Sequence, residues 1–238
     1  MRKIILSRGR SQRLMTHEIL MDPILVVPES EVKDYEKYDL ETIGIPDNRE
    51  GLSQVRNWIL DKFGGPVIMF DDDITNIIIL TDISPKHTTD RGYIEEILQN
   101  TYQNAKEAGA NIFGFSQKCD VRKYRANNPF LLSTWVGGVI GIIEPKYRFD
   151  ENNRLKVDVD YCLQSLLRDR IVWVEERFGF IQVRDRNIGG SSIFRSRERM
   201  RKEMEYLKNK WGKYIELRFT KTKESVRLNV DRRQNISI

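Results

Sequence analysis

Short apolar runs alternate with segments of helical period along most of the chain. Residues 3–7 (KIILS), 24–28 (ILVVP, closed by Pro28) and 42–46 (TIGIP) read as buried strands, and 11–20 (SQRLMTHEIL) and 30–38 (SEVKDYEKY) as the helices between them. Leu52, Val55, Ile59 and Phe63 recur at near-helical spacing in 51–63, and after Gly64-Gly65-Pro66 comes the strand VIMF (67–70). A further helix is predicted over 93–109, with Ile94, Ile97, Leu98, Thr101 and Ala105 on one face, followed by the strand NIFGF (111–115). Beyond a polar, basic loop (116–130) and the apolar segment STWVGGVIGI (133–142), residues 158–170 form an amphipathic helix through Val159, Cys162, Leu163, Leu166 and Leu167, with Asp158 as its cap. Then follow a strand at 171–176, a turn at 187–192 and a helix over 193–212 with a stripe of Met200, Met204, Leu207 and Trp211.

Such alternation predicts an α/β fold: a mostly parallel sheet with helices on both faces, its ligands at the carboxyl ends of the strands. No repeat or low-complexity linker divides the chain, so residues 1–194 are expected to form the main domain and 195–238 a basic helical extension packed on it. Hydrophobic residues make up 39% and charged residues 32% of the 238, a globular balance, and no apolar run is long enough to cross a bilayer. A cytoplasmic location is expected. Two cysteines and two histidines make a zinc site or a disulfide framework improbable, leaving oxygen ligands.

Charge changes the picture further. Residues 195–238 hold 14 Lys/Arg against 6 Asp/Glu, a net +8, whereas 1–194 carry −3. That asymmetry suits a polyanionic partner, with Arg199, Arg201 and Lys202 on the C-terminal helix and Arg122, Lys123 and Arg125 in the 116–130 loop as candidate contacts to DNA. The sharpest chemical signal is Asp71-Asp72-Asp73 at the end of an apolar strand. Carboxylates this close raise one another's pKa unless a cation relieves them, and Asp71 and Asp73, one residue apart, suit a hard cation such as Mg²⁺ or Mn²⁺. After the first strand, Ser7, Arg8, Gly9 and Arg10 offer a backbone turn and two cations to a diphosphate; Arg56, on the polar side of its helix, is a second candidate. These features are shared by glycosyltransferases and nucleotidyltransferases, and the basic segment alone would equally suit a non-catalytic DNA-binding module.

The order IILSRGR, VVPESEVKDY, IGIPDNREGLSQVRNWIL, VIMFDDDI resembles the GT-A nucleotide-sugar glycosyltransferases. More narrowly, it is similar to the base-J glucosyltransferase and to the phage DNA glycosyltransferases that accompany TET-type dioxygenases. The likeness covers residues 3–80 best and is looser through STWVGGVIGI and KVDVDYCLQSLL. It implies a GT-A-like Rossmann-type fold in which Ser7, Arg8, Arg10 and Arg56 engage the diphosphate of a nucleotide sugar, a UDP-sugar by expectation. Asp71 and Asp73 then hold Mn²⁺ or Mg²⁺, with Asp72 also on the donor side. The metal shell is completed by water or phosphate oxygens, since no histidine follows His87. Asp158, with Asp160 as its understudy, is the implied base of an inverting transfer, although Val157 stands where many such enzymes carry Glu. The implied acceptor is a 5-hydroxymethylpyrimidine in DNA, 5-hydroxymethylcytosine by expectation, with Trp135 near Gly137-Gly138 as a candidate stacking surface for a flipped base. A monomer or homodimer without membrane attachment is expected.

Overall fold

The computed structural model describes residues 1–183, 196–220 and 224–231; the turn expected at 187–192 and the proposed domain boundary at 194 lie outside them. Four parallel strands form one half of the main sheet: β3 (Thr42–Ile45), β2 (Ile24–Pro28), β1 (Arg2–Leu6) and β4 (Val67–Asp71), in that spatial order. Their apolar residues alternate in direction. Ile5, Leu25, Val27, Ile68 and Phe70 enter the core on one face, and Ile4, Val26, Val67 and Met69 the core on the other, so both faces are buried as a parallel sheet requires.

Helix α3 (Arg91–Glu107), capped by the Asp90 side chain on the Tyr93 N–H, covers the first face with Ile94, Ile97 and Leu98. Helices α2 (Leu52–Phe63) and α4 (Val157–Arg168) cover the second with Ile59, Leu60, Tyr161, Cys162 and Leu166. The fold is thus the predicted Rossmann-type α/β arrangement, with helices on both faces. The other half of the sheet is mixed. Strand β9 (Val139–Ile142) runs antiparallel between β4 and β7 (Ile112–Ser116), followed outward by β10 (Trp173–Gln182), β5 (Ile74–Ile79) and β6 (Lys86–Thr88), with β8 (Phe130–Leu131) paired to β10.

Several local expectations are corrected. Residues 11–20 form only a 3₁₀ turn, Thr16–Ile19. Here the Met15 and Thr16 N–H groups donate to the Asp72 carbonyl at 3.0 and 3.3 Å, and the Thr16 hydroxyl donates to the Asp71 carbonyl at 2.6 Å. Tertiary hydrogen bonds to the aspartate turn therefore replace helical ones. Strand β5, immediately after the aspartates, had no counterpart in the sequence reading, and β10 extends six residues past the expected end at 176. Asp158 lies in the first turn of α4 rather than at its cap position, which Lys156 occupies. Arg56 is buried, 2% exposed, rather than on a solvated face of α2.

At the C-terminus, α5 (Arg197–Trp211) leads into a hairpin of β11 (Ile215–Phe219) and β12 (Glu224–Leu228). Leu207 and Ile215 pack on Val159 and Leu163 of α4. Burying four such side chains contributes about 1.5–3 kcal/mol each. That exceeds the ~0–1 kcal/mol expected of exposed ion pairs such as Lys202 with Glu198, so apolar contact is what seats this region.

The tightest point of the sheet is Gly141 on β9, where a Cβ would lie 2.1 Å from the fully buried Phe113 ring. Gly141→Ala should destabilise the fold by about 1–3 kcal/mol through overpacking, read as a lower urea midpoint. An unchanged midpoint would mean that β9 and β7 pack less closely than described.

Candidate active site

The parallel register places Leu6 beside Asp71, so the loop after β1 and the turn after β4 leave adjacent strands at the same level. Asp72 joins them. Its carboxylate accepts from the Ser7 hydroxyl at 2.6 Å and from Arg10 Nη1 at 2.5 Å. The Ser7 hydroxyl also shares a 2.7 Å hydrogen bond with the Tyr35 hydroxyl, which accepts the Arg10 N–H at 3.1 Å. Burial pushes the Asp72 carboxyl up from its ordinary value, opposed by the Ser7 hydrogen bond and the Arg10 charge, and pushes the Tyr35 phenol up to about 12. Gly9 turns the loop with a φ of 66°, and its N–H donates to Glu31. Arg8 lies along the same edge, its guanidinium donating to the carbonyls of Asp47 and Arg49.

The two flanking aspartates are treated differently. Asp71 Oδ2 accepts from Gln182 Nε2 at 2.8 Å, and its N–H donates to the Gly138 carbonyl at 2.9 Å. Asp73 is 6% exposed, and its Oδ1 has no hydrogen-bond partner among the described residues. Burial first, then the charges of Asp71 and Asp72, push its carboxyl up to about 6. An interior carboxylate oxygen left bare beside two others is a hard-oxygen position that a divalent cation would relieve, so Asp73 and Asp71 fit such an ion chemically. Among the described residues no three His, Cys, Asp or Glu side chains form a metal-holding group. A cation there would draw the rest of its shell from water and phosphate oxygens.

Across the mouth stands Asp158. Half-buried, it accepts from the Val159 N–H at 3.0 Å through Oδ1, while its Oδ2 lies 2.5 Å from where a Gly137 Cβ would be. Burial raises its pKa, with the charges of Lys156 and Arg56 acting against that rise. Arg56 rises from α2 over the Phe149 ring at 5.3 Å, its Nε and Nη1 without hydrogen-bond partners among the described residues. Buried guanidinium N–H groups without acceptors are costly, which marks a place for an anionic or hydroxyl-bearing ligand. Gly138, at a φ of 74°, lies beside Gln182, where a Cβ would be 2.6 Å from Nε2. The Gly137-Gly138 turn therefore touches Asp158 on one side and, through Gln182, Asp71 on the other.

Of the remaining candidates, Trp135 borders this mouth, its ring edge 3.2 Å from where a Gly137 Cβ would be, and the others lie apart from it. Asp160 is fully buried on the flank of α4, its carboxylate accepting from Trp211, Lys210 and Gln164. Trp135 is partly buried between the core and the C-terminal cluster, with its carbonyl bound by Gln117. Arg122 and Lys123 pair with Asp120 at 3.0 and 3.8 Å, and Arg125 donates to the carbonyls of Arg122 and Tyr124. On α5, Arg199, Arg201 and Lys202 face Glu203, Glu224 and Glu198 at 3.5, 3.8 and 2.7 Å. Gln182, Tyr35 and Thr16 were not singled out from the sequence. Only the Gly137-Gly138 pair gave a local signal, since backbone must pass close to something there.

The Asp73 shift has a consequence for stability. Because the folded chain holds this proton more tightly than the unfolded chain, stability falls as pH rises from the ordinary aspartate range through about 6. Asp73→Asn should accordingly raise the thermal midpoint of the metal-free protein at neutral pH, and the gain should shrink toward the acid end of that range. A variant less stable than wild type at neutral pH would contradict the assignment.

Residues 2–190 match the sequence model of the family described as TET-Associated Glycosyltransferase. No curated protein matches the chain significantly. The matched span holds β1, β4, the Gly137-Gly138 turn, α4 and β10, and thus every segment that builds the mouth; α5 and the hairpin lie beyond it. With four-fifths of its length and its whole candidate site inside that match, the chain belongs to the TET-associated glycosyltransferase family and is a glycosyltransferase.

Proposed function

We propose that the protein moves a sugar from a nucleotide-sugar donor, a UDP-sugar by preference, to the hydroxyl of a 5-hydroxymethylpyrimidine in DNA, 5-hydroxymethylcytosine first among them. The observation that carries this reading is the bare, buried Asp73 Oδ1 beside the Ser7–Arg10 loop, faced across Gly137-Gly138 by Asp158. A donor diphosphate placed against that loop meets the cationic side chains of Arg8 and Arg10 and the backbone of Gly9. Asp72 keeps Arg10 and Ser7 in place for it. The open N–H groups of Arg56 supply further donors to the substrate. Asp73, with Asp71, would hold Mn²⁺ or Mg²⁺, which supplies neutralising charge for the departing diphosphate.

In the reaction, the acceptor oxygen attacks the anomeric carbon. The bond from that carbon to the diphosphate oxygen breaks, its electron pair leaving with the nucleoside diphosphate, and Asp158 takes the acceptor proton. Attack opposite the leaving group inverts the anomeric centre. A carboxyl with a raised pKa at the mouth suits that proton transfer better than a fully solvated one. The family's association with TET enzymes favours a hydroxylated base as acceptor. It also favours sugar transfer over nucleotidyl transfer or DNA binding alone. Arg122, Lys123 and Lys202, whose present surface ion pairs are weak, would turn to DNA phosphates, joined by the exposed side chains of Arg125 and Arg201 and the partly exposed one of Arg199. Trp135 would stack on a base turned out of the duplex.

Asp158→Asn tests the reading. With UDP-glucose, Mn²⁺ and duplex DNA containing 5-hydroxymethylcytosine, transfer should fall about 10²-fold or more while the affinity for UDP-glucose stays unchanged. Transfer at the wild-type rate would remove Asp158 from the mechanism.

A further inference from the structure

Three points in the segment that leads into α4 are held by one helix. Glu203 Oε2 accepts the backbone N–H groups of Arg154 and Leu155 at 2.9 and 2.5 Å. Asp150 Oδ2 accepts from the Tyr206 hydroxyl and from Lys210 Nζ, each at 2.6 Å. Asp160 Oδ1 accepts from the Trp211 indole N–H at 2.7 Å and from Lys210 Nζ at 2.8 Å. Glu203, Tyr206 and Lys210 recur at helical spacing, so a single face of α5 makes all these contacts.

Asp158 lies between the held points, and its carboxylate accepts from its own helix at Val159 and lies against the backbone of Gly137. Among the described residues no hydrogen bond from another element reaches it, so its place at the mouth follows from where the first turn of α4 sits. Asp160 reinforces this. Without Trp211 and Lys210, a fully buried carboxylate would keep, among the described residues, the 3.1 Å hydrogen bond from Gln164 alone, and the turn would have to move to hydrate it. These α5 residues lie beyond residues 2–190, outside the span matched to the family.

We propose that α5 is a positioning element of the transferase site: through Glu203, Lys210 and Trp211 it fixes the first turn of α4 and thereby holds Asp158 against the Gly137-Gly138 turn. Asp160 is by this account a positioning residue and not a second base. The proposal rests on the reading of Asp158 as the base, and a purely structural role for α5 would give a different kinetic pattern.

The test compares Glu203→Leu, Glu203→Gln and Trp211→Phe in the full chain, by amide hydrogen exchange over residues 150–160 and by transfer kinetics with UDP-glucose, Mn²⁺ and 5-hydroxymethylcytosine DNA. Trp211→Phe keeps most of the ring and loses the indole donor; Glu203→Gln keeps one acceptor oxygen. Glu203→Leu and Trp211→Phe should speed exchange at 154–160 and lower kcat by at least about tenfold, with the KM for UDP-glucose within roughly twofold of wild type. Glu203→Gln should restore both exchange and kcat. Unchanged exchange would overturn the proposal, as would faster exchange with kcat intact, or a loss of kcat matched by a loss of donor affinity. If the wild-type protein transfers no sugar, the functional reading fails by itself, while the exchange comparison still decides whether α5 holds this turn.

Discussion

The carboxylate of Asp72 is the constraint on which the aspartate turn depends. It sits in the interior between two other aspartates, and among the described residues the Ser7 hydroxyl and the Arg10 guanidinium are what make that placement tolerable. In return it ties the loop after β1 to the turn after β4. Met15 and Thr16 complete the tie through the backbone of Asp71 and Asp72, leaving the turn no freedom to carry Asp73 into water. One aspartate of the three is neutralised internally, one is held by Gln182, and the third keeps an uncompensated oxygen. Such a division is costly unless a cation belongs there, which is why the site reads as chemical rather than architectural.

The reversed strand β9 brings the second half of the site to the first. It pairs antiparallel to β4 with Phe70 opposite Val139, so the chain enters β9 where β4 ends and Gly138 falls beside Asp71. A wholly parallel sheet would have put that turn at the opposite edge. Because both glycines lack side chains, Asp158 and Gln182 approach the backbone closely, and Asp158 and the aspartate turn share one loop. The α5 helix, packed on α4 by Leu207 and Ile215, then bears on the Asp158 side from outside the matched region.

Much of the fold was legible because burial on both faces imprints itself on sequence. The apolar runs of β1, β2, β3, β4 and β7 and the helical spacing of α2, α3 and α4 report it directly. Where tertiary hydrogen bonds decide, the sequence misleads: 11–20 has helical spacing but spends its donors on the aspartate turn. Arg56 looks solvated by residue type, and only the Phe149 ring and the neighbouring Asp158 explain its burial. Asp158 and Asp160, two residues apart, end in different surroundings because α5 covers one and not the other, a contact of high sequence separation that no local pattern carries. Strand β5 was missed because it begins directly at the aspartates, with no turn residue to announce it.

The most direct test of the proposed cation site at the aspartate turn is anomalous diffraction from crystals grown with Mn²⁺ and UDP. The account predicts one Mn²⁺ at bonding distance from Asp73 Oδ1 and the UDP phosphates, with the Ser7–Asp72–Arg10 link intact. Manganese bound through Asp72 with that link broken, or UDP bound with no metal at Asp73, would contradict it.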